Sequence, residues 1–556
     1  MFSKRISFLG TAIFVYFLII GLRLYYWQII KSNELKKEAI KQTHKLEEIQ
    51  PTRGKIYSFD NFPLVQNENS YLLSIYKPNL KEDLKEILQK IDQIHPDFSE
   101  ENKILLDKFQ SNDQQKWITL PTPLKKENAD LLSQVSGLSF QKSFFRFYPE
   151  DKLASTLLGQ LAKNESGLII GYDGLEGYYN RQLEGKSGYI WQNKDAKGET
   201  NLSEKTWHLP ATNGQDLFTY INRSIQFEVE QKLQQGIEKF QADSAFAIIM
   251  EPQTGGIIAA SATFSSSMAT QSAEIHNPII STLFEPGSIF KPLVVSIALD
   301  SQGINRDFIC KQCNQAITIG KYTINNWDKK FHPDSNLKDV IKNSDNIGMS
   351  YIIKEIGLDK FLDYYQKLGL NKKTGIDLQG EINPKVKQNW PEIDLATASF
   401  GQGIAITPIL MLSAFNSIAN DGYLIKPSVV KQTSAQSALG STKPFVKLIQ
   451  KGNKIFDQKT IEEIKNILEY SVNSAAIAHL KTTNSSVCAK SGTSQVVIKG
   501  VYSEDETTAS YIGFSPCQNP KFTMLVTVKN PKTSPWGVST AAPIWYEIAD
   551  RLDILL

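Results

Sequence analysis

The chain has 556 residues, enough for two to four domains with large cores, and a formal net charge of +3. That near-neutral balance excludes the strong basic footprint of a nucleic-acid binder. There is no glycine-rich phosphate loop, and the six histidines (44, 95, 208, 276, 332 and 479) lack metal-ligand spacing, so neither cofactor nor metal is expected.

From the N-terminus, Lys4 and Arg5 precede residues 6–22, which carry no charge and make about 25 Å of helix. Arg23 can snorkel, and Tyr25, Tyr26 and Trp27 stand where interfacial aromatics anchor a span. The pattern predicts a transmembrane anchor over 6–30; Lys4 and Arg5 favour residues 1–5 as a cytoplasmic tail, although the many lysines after Lys31 blur that charge rule. A cleaved signal peptide is the competing reading, but no small-x-small site closely follows the apolar run. Residues 31–50 read as a polar, helical stalk. From Thr52 to about Pro210, short strands alternate with amphipathic helices. Leu84, Ile87, Leu88, Ile91 and Ile94 trace one helical face, a core-packing pattern. This half shows no catalytic constellation, so 31–210 is expected to be a supporting pedestal.

A second composition begins near Gly214. Residues 245–250 and 256–260 are apolar strands around the turn Pro252-Gln253-Thr254-Gly255, which predicts a hairpin. Residues 261–273 form a Ser/Thr/Ala-rich loop. Helical segments run on to about 470, broken by a loop over 432–443. Strands return at 487–498, 508–515 and 521–529, and a helix from about Ala542 closes the chain. A hairpin, a helical block and further strands give a mixed α/β (α+β) fold, a sheet covered by helices. Cys310-x-x-Cys313 has no second pair beside it for zinc, which leaves a local disulfide or two free thiols. A symmetric turn near Tyr502–Ser503 would set Cys488 opposite Cys517.

The segment Glu285-Pro286-Gly287-Ser288-Ile289-Phe290-Lys291 places a serine and a lysine one helical turn apart. A serine hydroxyl needs a neighbouring base to become a nucleophile, and a buried lysine with a lowered pKa can be that base without a histidine. The spacing alone is weak, since Ser74/Lys77, Ser139/Lys142, Ser335/Lys338 and Ser428/Lys431 share it. Context separates Ser288. Gly287 permits a sharp turn, Pro292 fits only a first helical turn, and free N–H groups at a helix start favour developing negative charge. Two further motifs follow in order, Ser344-Asp345-Asn346 and Lys490-Ser491-Gly492-Thr493-Ser494. The order Ser-x-x-Lys, Ser-Asp-Asn, Lys-Thr-Gly marks penicillin-binding proteins and one class of β-lactamases, and Lys-Ser-Gly keeps the hydroxyl.

On these motifs the chain resembles a class B penicillin-binding protein, a membrane-anchored peptidoglycan transpeptidase. The resemblance extends to Arg53-Gly54-Lys55-Ile56-Tyr57, Arg146-Phe147-Tyr148-Pro149 with Leu157-Leu158-Gly159, and Gly174-Leu175-Glu176-Gly177-Tyr178. It continues in Gly401-Gln402-Gly403 with Thr407-Pro408, and in Ala541-Ala542-Pro543-Ile544. One departure is Ser58-Phe59-Asp60-Asn61, where the family usually has Asp-Arg-Asn-Gly. The resemblance implies a serine penicillin-recognising, β-lactamase-like transpeptidase domain over 215–556 and an elongated pedestal, a dimerisation-like module, over 31–210.

It also implies stem peptides ending in D-Ala-D-Ala as substrate, β-lactams as acylating inhibitors, and the cytoplasmic membrane as location with the catalytic domain outside. A membrane-embedded glycan polymerase and other cell-wall or division proteins would be partners. Ser288 would attack the penultimate D-Ala carbonyl, with Lys291 accepting its proton. Ser344 would relay the proton to the leaving group, and Asn346 would orient Lys291 and the substrate. Lys490 would supply positive charge, Ser491, Gly492 and Ser494 would complete the binding strand, and Thr493 would hold the terminal carboxylate. A β-lactamase or D,D-carboxypeptidase is the alternative on the same fold. The second is a non-catalytic penicillin-binding sensor or scaffold. Phe284 before Glu285-Pro286-Gly287, and Asn346 ending the second motif, look more like the division branch than the elongation branch.

Overall fold

The computed structural model describes residues 2–32, 34–35, 44–94, 100–112, 114–120, 123–163, 169–193, 207–268, 277–436, 442–446, 452–474, 480, 485–498 and 501–556. The chain divides into two compact units, Met1–Arg53 with Glu184–Gly214, and Gly54–Leu183 with Gln215–Leu556.

In the first unit an α-helix, Phe2–Tyr25, runs into a π-helical turn, Tyr26–Ile30. Phe8–Ile30 is long and apolar enough to cross a membrane, and its residues are not buried by the protein. An apolar helix left uncovered on every side suits lipid rather than a water-facing surface. The stalk expected over 31–50 is corrected in part. His44–Ile49 is a strand, antiparallel to Gly188–Asn193, which also pairs with Trp207–Leu209. Lys- and Glu-rich composition suggested helix, but Tyr189, Ile190 and Trp191 supply a β-prone partner, and pairing overrides local propensity. Residues 36–43 of the expected stalk lie outside the described residues.

The second unit begins with a sheet built on one long strand, Pro63–Tyr76, antiparallel to Leu138–Phe147 from Gln66↔Phe147 to Ile75↔Leu138. Beneath it Leu73, Ile75, Ile87, Ile91, Phe109 and Leu124 form a core of their own. Ile87 and Ile91 lie on the face expected from the sequence; the side chains of Leu84, Leu88 and Ile94 lie outside the described residues. The same sheet continues through Ile56–Tyr57 to Leu217–Thr219, Val430–Gln436 and Thr442–Val446. The loop expected over 432–443 is therefore mostly hairpin, with 437–441 outside the described residues. Its Ser, Thr and Gln content reads as loop, yet Leu217–Thr219 offers an open edge that these backbone groups complete.

The remainder of this unit is organised by a five-stranded antiparallel sheet, in order Ile257–Phe264, Ser244–Met250, Phe522–Lys529, Val501–Ser515 and Cys488–Ile498. Side chains alternate across a strand. Ala245, Ala247 and Ile249 pack with Val229, Leu233 and Trp545 of the helices Arg223–Phe240 and Ala541–Leu555. Phe246, Ile248 and Met250 enter the opposite core with Leu293, Phe415 and Ile512. Burial on both faces is why this strand reads as an unbroken apolar run.

Two disulfides are present, Cys310–Cys313 with Cα atoms 5.5 Å apart and Cys488–Cys517 with Cα atoms 5.2 Å apart. The second does not arise from the expected register. Ile498 pairs with Val501, and Cys488 faces Phe514; Cys517 reaches back from beyond the strand end. A bulge between Gln495 and Val497 and a strand that starts at Val501 shift the turn away from Tyr502–Ser503.

Candidate active site

Gly287–Phe290 forms a 3₁₀ turn that leads into the helix Lys291–Asp300. Pro292 sits in its first turn, where a missing N–H costs little. Leu293, Val294, Val295, Ile297 and Ala298 are all buried, so this helix is central rather than amphipathic. It carries Lys291 into the interior at 0% exposure while Ser288 stays partly open.

Ser344 joins two helices, Leu337–Lys342 and Asn346–Ile356, in a left-handed conformation with φ 52°. The turn aims three acceptors at the Lys291 amine. Nζ donates to Ser344 O at 2.6 Å, to Asn346 Oδ1 at 2.8 Å and to Ser344 Oγ at 3.1 Å. Three acceptors match the three ammonium donors. Ser344 Oγ in turn donates to Ser288 Oγ at 2.9 Å. Among the hydrogen bonds of the described residues, Ser344 Oγ thus links the amine to Ser288.

The third motif lies on Cys488–Ile498, at the edge of the five-stranded sheet. Lys490 is buried and donates to Ser491 O at 2.9 Å. Thr493 Oγ1 accepts from Gly537 N at 3.1 Å. Ser491 is half-buried, whereas Ser494 is buried beneath the nucleophile turn. Gly492 has no room for a side chain, because a Cβ would stand 2.9 Å from Ile289 Cγ2 and 3.1 Å from Pro286 O. Gly401, read from the sequence only as part of a family motif, supports the same turn. Its carbonyl accepts from Gly287 N at 3.0 Å, and a Cβ on it would lie 2.2 Å from Gly287 O.

Electrostatics follow from burial. Lys291 is held well below the usual lysine range, first by desolvation and then by the Lys490 charge, with Asp345 opposing. Burial lowers Lys490 to about 8. The site therefore pairs an amine poised to be a neutral base with a hydroxyl chain that ends on a turn-mounted serine, an arrangement able to perform nucleophilic acyl transfer. Among the described residues no cluster of three or more His, Cys, Asp or Glu side chains is placed to hold a metal ion.

The other four Ser-x-x-Lys serines serve the fold. Ser74 shares a hydrogen bond with Thr119 Oγ1, Ser428 donates to Asp377, Ser335 donates to His332 O, and Ser139 lies in the strand Leu138–Phe147. Several site residues had no sequence signal. Asn326 Oδ1 accepts from Asn346 N at 2.8 Å and Ile347 N at 3.2 Å. Tyr502 donates to Glu285, which also accepts from Gly403 N at 3.0 Å and so ties the sheet hairpin to the nucleophile turn. Trp327 donates to Asn343 O and meets Trp536 edge-to-face at 5.3 Å. All these links join residues far apart in the chain, which local patterns do not reveal.

Comparison with known proteins points the same way. The penicillin binding protein transpeptidase domain matches residues 245–550, and the penicillin-binding protein dimerisation domain matches residues 48–219. Stage V sporulation protein D of Bacillus subtilis is 27% identical over 97% of this chain and 84% of its own length. Peptidoglycan D,D-transpeptidase FtsI of Buchnera aphidicola subsp. Schizaphis graminum is 27% identical over 98% of this chain and 94% of its own. The crystal structure of penicillin binding protein 2X from Streptococcus thermophilus shares the fold, with a TM-score of 0.72 at 24% identity over 91% of this chain and 80% of that one.

Proposed function

The chain belongs to the penicillin-binding protein transpeptidase family, and from that premise we propose that it is a peptidoglycan D,D-transpeptidase acting through a Ser288 acyl-enzyme. The observation that carries this reading is the hydrogen-bond chain from Lys291 through Ser344 to Ser288. Neutral Lys291 draws the Ser288 proton through the Ser344 hydroxyl as Ser288 Oγ bonds to the penultimate D-Ala carbonyl carbon. The two hydroxyls reverse their hydrogen bond in that step. Backbone N–H groups of Ser288 and Thr493 hold the developing oxyanion. The C–N bond to the terminal D-Ala then breaks, and the proton passes back through Ser344 to the departing amine.

An amine of a neighbouring stem peptide attacks the acyl-enzyme, restores the Ser288 hydroxyl and leaves a crosslink. Asn346 orients the lysine and the substrate amide. Thr493 holds the terminal carboxylate in the field of Lys490, on a strand completed by Ser491, Gly492 and Ser494. β-Lactams acylate the same serine.

The apolar helix Phe8–Ile30 fits a single-pass membrane anchor. We place residues 1–5 in the cytoplasm and the catalytic domain outside it, where disulfides persist. Residues 31–210 serve as pedestal and 215–556 as catalytic domain, working beside a membrane-embedded glycan polymerase in cell division. Acyl-enzyme lifetime tests the reaction class. A labelled penicillin is expected to stay bound for hours after free label is removed; loss within seconds would make the protein a hydrolase.

A further inference from the structure

The loop that precedes the helix Leu337–Lys342 carries a histidine, His332, that the acylation chemistry above does not use. His332 Nδ1 stands 3.0 Å from Asp345 Oδ2. A carboxylate can only accept, so Nδ1 carries the hydrogen and donates. The other ring nitrogen lies 3.5 Å from Asp328 Oδ2. Asp345 is itself 0% exposed, and its second oxygen accepts from Gly348 N at 2.8 Å to cap the helix Asn346–Ile356. Asp345 sits between Ser344 and Asn346, the two residues that receive the Lys291 ammonium hydrogens.

We infer that His332 is a positioning residue: through the buried Asp345 carboxylate it governs how firmly Lys291 holds its proton. The inference rests on the reading of Lys291 as the base of a serine acyltransferase.

A buried carboxylate near an amine favours the charged amine, and each hydrogen bond it accepts disperses part of that field. Among the described residues, the backbone N–H of Gly348 and the ring N–H of His332 donate to the Asp345 carboxylate. The charged groups around the chain are Asp328 on the far side of the ring, Asp345 on the near side, and Lys490 across the site from Lys291. Lys490 pushes the amine towards neutrality and Asp345 pulls it back. His332 moderates that pull. Its backbone is held from within the loop, since Ser335 Oγ donates to His332 O at 2.9 Å and Asn326 Nδ2 donates to Lys330 O at 2.9 Å. Asn326 is also the residue that receives Asn346 N, so the loop holds the ring and the second motif as one assembly.

The test is the pH profile of acylation of the full chain by a fluorescent penicillin. His332→Gln is expected to move the acid limb upward by about one unit, because an unmoderated Asp345 keeps Lys291 protonated to higher pH. Asp345→Asn, which keeps a good helix cap, moves the limb downward. His332→Gln placed on Asp345→Asn moves it no further. Asp328→Asn, at a partly exposed carboxylate that caps no helix, shifts the limb in the same direction as His332→Gln and by less; it keeps the test open should the buried variants fail to fold. Variants that lower the plateau rate at every pH while the limb stays fixed would overturn the inference and leave His332 a structural residue. A wild type that takes no label would overturn the serine reading, and this inference with it.

Discussion

Lys291→Met is expected to lower the second-order rate of penicillin acylation by about 10²–10⁴-fold, the usual contribution of a positioned base. Methionine fills the buried volume and removes the amine that joins Ser344 O, Ser344 Oγ and Asn346 Oδ1. On the proposed mechanism the neutral amine is the active form, so the rate is expected to rise with pH through the Lys291 transition. Because burial and Lys490 hold that transition well below the usual lysine range, much of the rise is complete where an exposed lysine would still be charged. The rate then falls as Lys490 loses its charge near pH 8. The variant should lose the rising limb altogether. Stopped-flow acylation of both proteins across pH checks the rate and the profile together.

Glu176→Ala carries the largest expected stability loss. Arg146 Nε donates to Glu176 Oε1 at 2.6 Å, with the two side chains 5% and 0% exposed, and Arg146 Nη1 donates to Asn67 Oδ1 at 3.0 Å. Removing the carboxylate takes from a buried guanidinium the counter-charge that Glu176 supplies, at a cost of about 3–5 kcal/mol. The double variant Arg146→Met with Glu176→Leu should recover much of that loss, since a well-packed apolar pair avoids the desolvation of both charges. Denaturant midpoints followed by tryptophan fluorescence check the order: wild type, double variant, then Glu176→Ala.

That pair also shows what was legible in the sequence. Arg146 and Glu176 both lay in segments noted only for family resemblance, and nothing in their spacing announced that they meet. Apolar runs were clear, as at Ala245–Met250 on the central sheet, because two-sided burial leaves a continuous signal. The three motifs of the candidate site were legible because each combines a polar group with a local backbone feature: a Gly-Ser turn, a helix start and an edge strand. Strand edges were harder. His44–Ile49 and Val430–Gln436 are polar, and distant partners rather than their own propensities make them strands. The same holds at the site. The one-turn spacing put Ser288 and Lys291 on one face, and a left-handed Ser344, invisible to any periodicity, adds a hydroxyl that hydrogen-bonds to both. His332 and Asn326 reach the second motif from a loop with no motif of its own.

The most direct test is to map the penicillin adduct by peptide mass spectrometry on the wild type and on Ser288→Ala. The account predicts one adduct, on the peptide carrying Ser288, and none on the variant. An adduct on another residue, or one that persists in Ser288→Ala, would contradict it.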